Sequence, residues 1–126
     1  MDHKSKIILI AGPTASGKSK IAINLAKKIN GEIVNADSMQ VYKQLKILTA
    51  RPSEKDQKII KHHLFGIIDV RKRFSTGQWL KKCIKIINLI REKKKIPIIV
   101  GGTGLYFKAL VDGLVSIPKF KLSEKN

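Results

Sequence analysis

The sequence predicts an α/β fold in which a parallel sheet is flanked by helices. Short apolar runs at residues 7–11, within 32–36 and at 96–100 have the length of strands, and the composition of the first fits a strand buried on both faces. Segments with the three- and four-residue apolar spacing of helices alternate with them and begin near Lys18 and Ser75. Because strands that alternate with helices form parallel sheets, this order indicates a doubly wound architecture.

The first strand leads through a turn into the first helix. The run 7–11 ends at Gly12, and from Lys18 onward the apolar period changes to that of a helix. Asn30 and Gly31 end this helix with a usual C-terminal signal. The residues expected on its buried face are Ile21, Ala22, Leu25, Ala26 and Ile29. With the strand that follows, these segments form a strand, loop, helix and strand unit.

The stretch after the second strand is less regular. Residues 37–52 have the composition of a loop with short elements. Ser53 followed by Asp56 favours a helix over 54–62, and residues 64–70 are apolar enough for a short strand. No internal repeat or low-complexity linker interrupts the chain, so its 126 residues suit one domain.

The most regular helix begins after Ser75. Ser75 and Gln78 have the spacing of a capping box, and the cations at 91–95 suit the C-terminal end of the helix dipole. Its apolar stripe consists of Trp79, Leu80, Cys83, Ile84, Ile87 and Ile90. The strand 96–100 then runs into a glycine-rich turn, and another helix starts near Leu105. We expect a core at 1–115 and a Lys-rich tail at 116–126.

The charge of the chain has two open explanations. Its formal net charge is +17, from 26 Lys and Arg against 9 Asp and Glu. Such a balance suggests a polyanionic partner, most simply nucleic acid. However, 22 of the cations are Lys and only 4 are Arg, and Ile occurs 20 times. A composition rich in Lys and Ile is also typical of proteins from AT-rich genomes. Specific nucleic-acid contacts favour Arg over Lys.

The remaining composition favours a soluble, cytoplasmic protein. Cys83 is the one cysteine, so no internal disulfide can form, and its place in an apolar helical stripe predicts a buried core residue. No apolar run approaches the roughly 20 residues of a membrane span. The run 7–11 is also shorter than a secretory signal core.

Residues 12–19 match the phosphate-binding pattern G-x-x-x-x-G-K-[ST] in full. The residues expected to bind phosphate are Gly12, Pro13, Thr14, Ala15, Ser16, Gly17, Lys18 and Ser19. The motif lies after a predicted buried strand and before a helix, as the P-loop requires. Its glycines let backbone N–H groups converge on phosphate oxygens, and the helix N-terminus adds positive partial charge. Lys18 supplies a mobile cation, and Ser19 can place its hydroxyl on Mg²⁺. The site is therefore expected to hold a pyrophosphate or a nucleotide phosphate.

Asp37 is the one strand-end carboxylate among these elements. A P-loop protein that hydrolyses a nucleoside triphosphate usually carries an Asp at the end of a hydrophobic strand, but the strand 96–100 ends in Gly101-Gly102. A carboxylate at Asp37 could bind magnesium or take a proton from an acceptor. As a third possibility, Asp37 is only a helix cap or turn residue.

Several segments together resemble the tRNA dimethylallyltransferases, also called isopentenyl-pyrophosphate transferases. They are the P-loop at 12–19, the run Asn-Ala-Asp-Ser-Met-Gln-Val-Tyr at 35–42, and Thr-Ala-Arg-Pro-Ser at 49–53. His-His-Leu at 62–64 and Val-Gly-Gly-Thr-Gly-Leu-Tyr at 100–106 complete the set. They occur in the family's order, and the resemblance covers roughly residues 7–115.

The resemblance implies a P-loop nucleoside-triphosphate-hydrolase-like fold and transfer of a dimethylallyl group to N6 of an adenosine beside the tRNA anticodon. Pyrophosphate is released from dimethylallyl diphosphate. Lys18 and the loop would bind the diphosphate, and Ser19 would help bind Mg²⁺. Asp37 would accept the amine proton. Ser38, Met39 and Gln40 would lie along a flipped-out base, and Thr103 would contact tRNA or shape the site.

The sequence also departs from the family pattern at several positions and in length. Arg51, Leu48 and Lys61 stand where the family more often has Lys, Gly and Pro, but none of these differences removes a residue assigned to chemistry. His62 and His63 are expected to pack or cap near a strand rather than to bind zinc. Family members are more than twice as long, so we expect an N-terminal portion that holds the diphosphate half of the site. A monomer is expected.

Two other functions remain open at this stage. A small P-loop kinase would need an acceptor-binding lid rich in Arg, and the chain has four. A non-catalytic, basic nucleic-acid-binding fragment is consistent with the charge.

Overall fold

The computed structural model describes residues 6–12, 17–38, 40–43, 54–102 and 104–115. Its elements are β1 (Ile8–Ala11), α1 (Lys18–Ile29), β2 (Gly31–Asn35), α2 (Glu54–Ile59), β3 (His62–His63), α3 (Thr76–Glu92), β4 (Ile96–Gly101) and α4 (Leu105–Val115). The strands form one four-stranded sheet in the order β1-β4-β2-β3. All three strand pairs are parallel, which confirms the predicted fold class.

Strand β4 occupies the centre of this sheet because it pairs with β1 on one side and β2 on the other. Ile98 lies opposite Ile8 of β1 and Ile33 of β2. Every residue of β2 and of β4 is buried. The carboxyl ends of β1, β2 and β4 therefore meet at one edge of the sheet.

Two apolar clusters cover the two faces of the sheet. Helices α3 and α4 cover one face, with fully buried residues such as Trp79, Cys83, Ile87, Ile90 and Leu110. Helix α1 covers the other face, where its Ala22, Ile23 and Ala26 pack with the strand residues Ile33, Ile98 and Val100. Burial of each large aliphatic side chain contributes about 1.5–3 kcal/mol. The burial of Trp79, Cys83, Ile87 and Ile90 confirms the predicted stripe of α3 and the predicted burial of Cys83.

Local signals at the helix ends behave as expected. The Ser75 hydroxyl accepts from the Gln78 N–H at 3.1 Å, and the Gln78 side chain accepts from the Ser75 N–H at 2.8 Å, which completes the predicted capping box. Asn30 takes the left-handed conformation after α1, with φ 58°. None of the described helices is both long and apolar enough to span a membrane.

Three sequence predictions on the early elements are wrong in detail. Strand β1 is not buried on both faces, since it lies at the sheet edge and Leu9 is 36% exposed. On α1, Ile21 is 57% exposed, whereas Ile23 is buried in its place. Helix α2 ends at Ile59 rather than at 62, because the next residues join the sheet beside β2.

The strand predicted at 64–70 is also wrong. The chain is extended at His62–His63 instead, and within 64–70 only Ile68 forms a bridge, to Tyr42. Leu64 and Gly66 have φ values of 67° and 60°, and the left-handed conformation interrupts a strand. Ser53 and the tail 116–126 lie outside the described residues, so the boundary after 115 stays a prediction.

Candidate active site

The described ends of the phosphate-binding motif lie where the sequence predicts them. Gly12 follows β1, and its N–H donates to the Gly101 carbonyl at 3.1 Å, which ties the start of the motif to the end of β4. Gly17 has a φ of 78° and precedes α1. Pro13, Thr14, Ala15 and Ser16 lie outside the described residues.

Lys18 begins α1 and is only 5% exposed. Burying an ammonium group is favourable only where anionic or hydrogen-bonding partners meet it, so this position suits a residue that receives an anion. Ser19 follows in the first turn and is half-buried. Both residues belong to the N-terminal turn, where unpaired N–H groups and the helix dipole attract negative charge.

Asp37 lies two residues beyond the end of β2 and is half-buried. Its backbone N–H donates to the Asn35 Oδ1 at 2.8 Å, and its carbonyl accepts from the Asn35 Nδ2 at 3.0 Å. Its carboxylate accepts from the Gln40 Nε2 at 3.4 Å. The main chain and the carboxylate of Asp37 are therefore both held by neighbouring amides.

A close approach between the ends of β2 and β4 places Asp37 beside the glycine-rich turn. The Ala36 N–H donates to the Val100 carbonyl at 2.8 Å. A Cβ atom on Gly101 would lie 2.5 Å from the Ala36 carbonyl carbon and 2.6 Å from its oxygen. Only glycine fits at this contact without a backbone shift.

A cavity of about 310 Å³ opens where these segments meet. Its lining comes from the end of β2, the start of α3 and the turn before α4: Ala36, Asp37, Ser38, Thr76, Gly102, Gly104, Leu105 and Tyr106. Ser38 is exposed there, whereas Gln40 is buried and reaches the Asp37 carboxylate. The roles of Ser38 and Gln40 toward a base stay predictions. Met39 and Thr103 lie outside the described residues.

Tyr106 lines this cavity and stacks on the fully buried Trp79. The rings of Trp79 and Tyr106 stack with centroids 4.3 Å apart and an interplanar angle of 14°. Burial raises the pKa of the Tyr106 hydroxyl to about 12, with smaller contributions from Tyr42 and Asp37. At neutral pH, Tyr106 therefore keeps its proton.

His62 and His63 lie away from this cavity, in β3. The His62 Nδ1 is 2.6 Å from the Ile60 carbonyl oxygen, and its ring meets Phe65 edge to face. The His63 Nε2 donates to the buried Glu32 Oε1 at 2.7 Å. The packing role predicted for this pair agrees with these contacts. Among the described residues, no three His, Cys, Asp or Glu side chains cluster as a metal site.

Sequence patterns had indicated Asp37 and the glycine-rich turn, but not the parts that hold them together. Asn35 and Gly101 belong to the motifs at 35–42 and 100–106, and Trp79 belongs to the predicted stripe of α3. Their contacts join segments distant in the chain, and no local pattern reveals those contacts. Thr76 reaches the cavity only because α3 starts beside β2. For Tyr106, the one available signal was its place in the motif at 100–106.

The fold and the site define an α/β protein with a parallel sheet, the sequence motif G-x-x-x-x-G-K-[ST] after β1 and a carboxylate at the carboxyl edge of the sheet. The family model described as IPP transferase matches residues 40–126. The chain belongs to the IPP transferase family.

Relatives and solved structures agree with this assignment. The chain is 66% identical over 126 residues to the tRNA dimethylallyltransferase of Pelagibacter ubique (strain HTCC1062), covering 100% of this chain and 40% of that protein. The tRNA delta(2)-isopentenylpyrophosphate transferase of Staphylococcus epidermidis is 44% identical with a TM-score of 0.78, over 82% of this chain and 34% of that one. The full-length tRNA isopentenylpyrophosphate transferase of Bacillus halodurans is 37% identical with a TM-score of 0.81, over 93% and 38%. The chain thus spans about two fifths of the length of these proteins or less.

Proposed function

We propose that this chain carries the diphosphate-binding half of a tRNA dimethylallyltransferase site. The reaction transfers a dimethylallyl group from dimethylallyl diphosphate to N6 of an adenosine next to the tRNA anticodon. Family membership and the name of the Pelagibacter relative support this function. The observation that carries it is the position of Asp37 on a cavity whose glycine-rich wall is tied to the start of the phosphate-binding motif.

The diphosphate would lie at residues 12–19. Backbone N–H groups of the loop, the N-terminus of α1 and the buried Lys18 stabilise the negative charge that grows on the departing pyrophosphate. The half-buried Ser19 hydroxyl and the diphosphate oxygens are the oxygen ligands that Mg²⁺ prefers, so the residues present fit this ion. When bound, Mg²⁺ would neutralise charge on the leaving group.

Asp37 would act as the general base. The adenine N6 forms a bond to the allylic carbon while the bond from that carbon to the diphosphate oxygen breaks. The proton of N6 passes to the Asp37 carboxylate, and pyrophosphate leaves. Because an aromatic exocyclic amine is a poor nucleophile until its proton begins to leave, such a base typically contributes about 10²–10⁴-fold in rate.

The tRNA partner would approach the carboxyl edge of the sheet. Ser38 lines the cavity, and we assign it, Met39, Gln40 and Thr103 to the extruded base and the tRNA backbone. The net charge of +17 suits an anticodon stem-loop as partner. A monomer in the cytoplasm fits this role.

Replacement of Asp37 by Asn tests the function. We expect turnover to fall about 100-fold or more, because the amide is similar in size but cannot take the proton. The measurement uses a chimaera in which this chain replaces the aligned part of the Pelagibacter relative. The affinity for dimethylallyl diphosphate, measured by calorimetry in the presence of Mg²⁺, should be nearly unchanged.

Lys18→Ala is the matched control, because it should weaken diphosphate binding, which Asp37→Asn should leave nearly unchanged. It should weaken the interaction with the diphosphate by about 1.5–3 kcal/mol, the scale of a charged hydrogen bond. Loss of diphosphate and Mg²⁺ binding in Asp37→Asn would make Asp37 a metal-site residue. Unchanged turnover would reduce it to a turn residue, and tight binding of ATP without diphosphate binding would favour a kinase.

A further inference from the structure

The Asn35 side chain uses both ends of its carboxamide to bind main-chain groups of two other residues. It is 1% exposed. Its Nδ2 donates to the Asp37 carbonyl and to the Leu64 carbonyl, both at 3.0 Å, while its Oδ1 accepts from the Asp37 N–H at 2.8 Å. An amide offers two donors and an acceptor in one plane, and neither aspartate nor serine provides this set at the same reach.

The backbone around Asn35 is fixed by two other segments. Its carbonyl accepts from the Trp79 Nε1 at 3.0 Å, and Trp79 is fully buried against Tyr106. Leu64, whose carbonyl Asn35 binds, is buried with a φ of 67°. A leucine in the left-handed region is uncommon and persists only where surrounding contacts hold it. Asn35 therefore joins β2, α3 and the turn after β3 at one point.

We infer that Asn35 is the positioning residue that holds Asp37 in place for proton transfer, an inference that rests on the proposed function. Because an aspartate side chain is short, the position of its main chain sets the position of its carboxylate. Asn35 holds both peptide groups of Asp37, on its N–H and on its carbonyl. Donor binding lies with residues 12–19, so losing this clamp should affect kcat and leave the KM for the donor unchanged.

Asn35→Ala and Asn35→Asp test the inference, with Val34→Ala as matched control. Asn35→Asp keeps the acceptor but turns a carboxylate oxygen toward the two carbonyls. Val34 is fully buried on the same strand, so its truncation weakens the core while the hydrogen bonds from Asn35 to Asp37 stay in place. In the chimaera, we expect both Asn35 variants to lower kcat by about 10–100-fold, since misplacement by about 1 Å costs on that scale. The KM for dimethylallyl diphosphate should match that of Val34→Ala.

Combining the substitutions shows whether Asn35 acts through Asp37. In the Asp37→Asn background, Asn35→Ala should lower kcat by less than about 2-fold, because the group that it positions is already inactive. A full additional loss, or the same kcat in Asn35→Ala and Val34→Ala, would overturn the inference.

Hydrogen exchange in the 126-residue chain gives a readout that is independent of turnover. Relative to the amides of β4, the Asp37 amide hydrogen should exchange at least about 10-fold faster in Asn35→Ala. In Val34→Ala, its exchange rate relative to β4 should be unchanged. If exchange rises equally at all amides, Asn35 only supports folding and the inference fails. If Asp37→Asn has no effect on turnover, the proposed base is wrong, while exchange at Asp37 still decides whether Asn35 holds it.

Discussion

The two ends of strand β2 carry carboxylates in opposite situations. Glu32, near the start of β2, is 1% exposed and contacts three basic side chains: His63 and Lys93 at 2.7 Å, and Lys95 at 3.4 Å. Asp37, just past the end, is half-buried on a cavity and is held by neutral amides. The first carboxylate joins β2 to β3 and to the turn before β4, whereas the second is part of the lining of a cavity.

The partners of each carboxylate explain the difference. Burial alone would raise the pKa of Glu32, but hydrogen bonds from Lys93 and His63, with their charges, outweigh it and hold the pKa below its ordinary value. Such a group stays ionised and bound to its partners. At Asp37, the neutral amides of Asn35 and Gln40 hold the main chain and the carboxylate through hydrogen bonds. These hydrogen bonds fix the position of the general base that we propose at Asp37.

Matched amide substitutions at the two positions should separate structural from chemical roles most strongly. Glu32→Gln should lower the free energy of unfolding by about 1.5–3 kcal/mol, because charge-assisted hydrogen bonds to a buried acceptor are lost. Asp37→Asn should change it by less than about 0.5 kcal/mol. Urea unfolding of both variants measures the difference, and equal losses would contradict the contrast.

The stability of the Glu32 cluster should depend on pH. Burial lowers the pKa of His63 below its ordinary value of 6.5, and this outweighs the attraction of Glu32. The unfolded chain therefore binds the His63 proton more readily, so stability should fall as pH drops below about 6.5 and fall further once Glu32 protonates. Unfolding curves between pH 8 and 4 check this. His63→Gln should remove the upper part of the decline, and an unchanged profile would show that His63 is not responsible.

The smallest effects are expected at the two lysines of the cluster. Their side chains are 45% exposed at Lys93 and 38% at Lys95, so solvent screens both contacts. Lys93→Met should cost up to about 1 kcal/mol, and Lys95→Met less, because its Nζ is farther from Glu32. Thermal unfolding at low and high salt compares them. A larger loss for Lys95→Met would mean that distance does not rank these contacts.

Local patterns predicted the elements well but not their neighbours in space. The capping box at Ser75 and the stripe through Trp79 depend on residues within a few positions of one another, so both could be recognised. The edge position of β1 depends on which strands pair, and this decides the exposure of Leu9. Asp37 was identifiable from its place after a strand. The clamp by Asn35 was not, since its bond to Leu64 spans 29 positions.

The buried thiol of Cys83 is a built-in chemical probe for local opening of the core. It is the one cysteine in the sequence, it is fully buried under α4 and the sheet, and burial raises the pKa of its thiol to about 12. Only the thiolate reacts with alkylating and disulfide reagents, so the native thiol is inert on two grounds. The rate at which Cys83 is labelled therefore reports how often α3 separates from the sheet that supports Asn35 and Asp37.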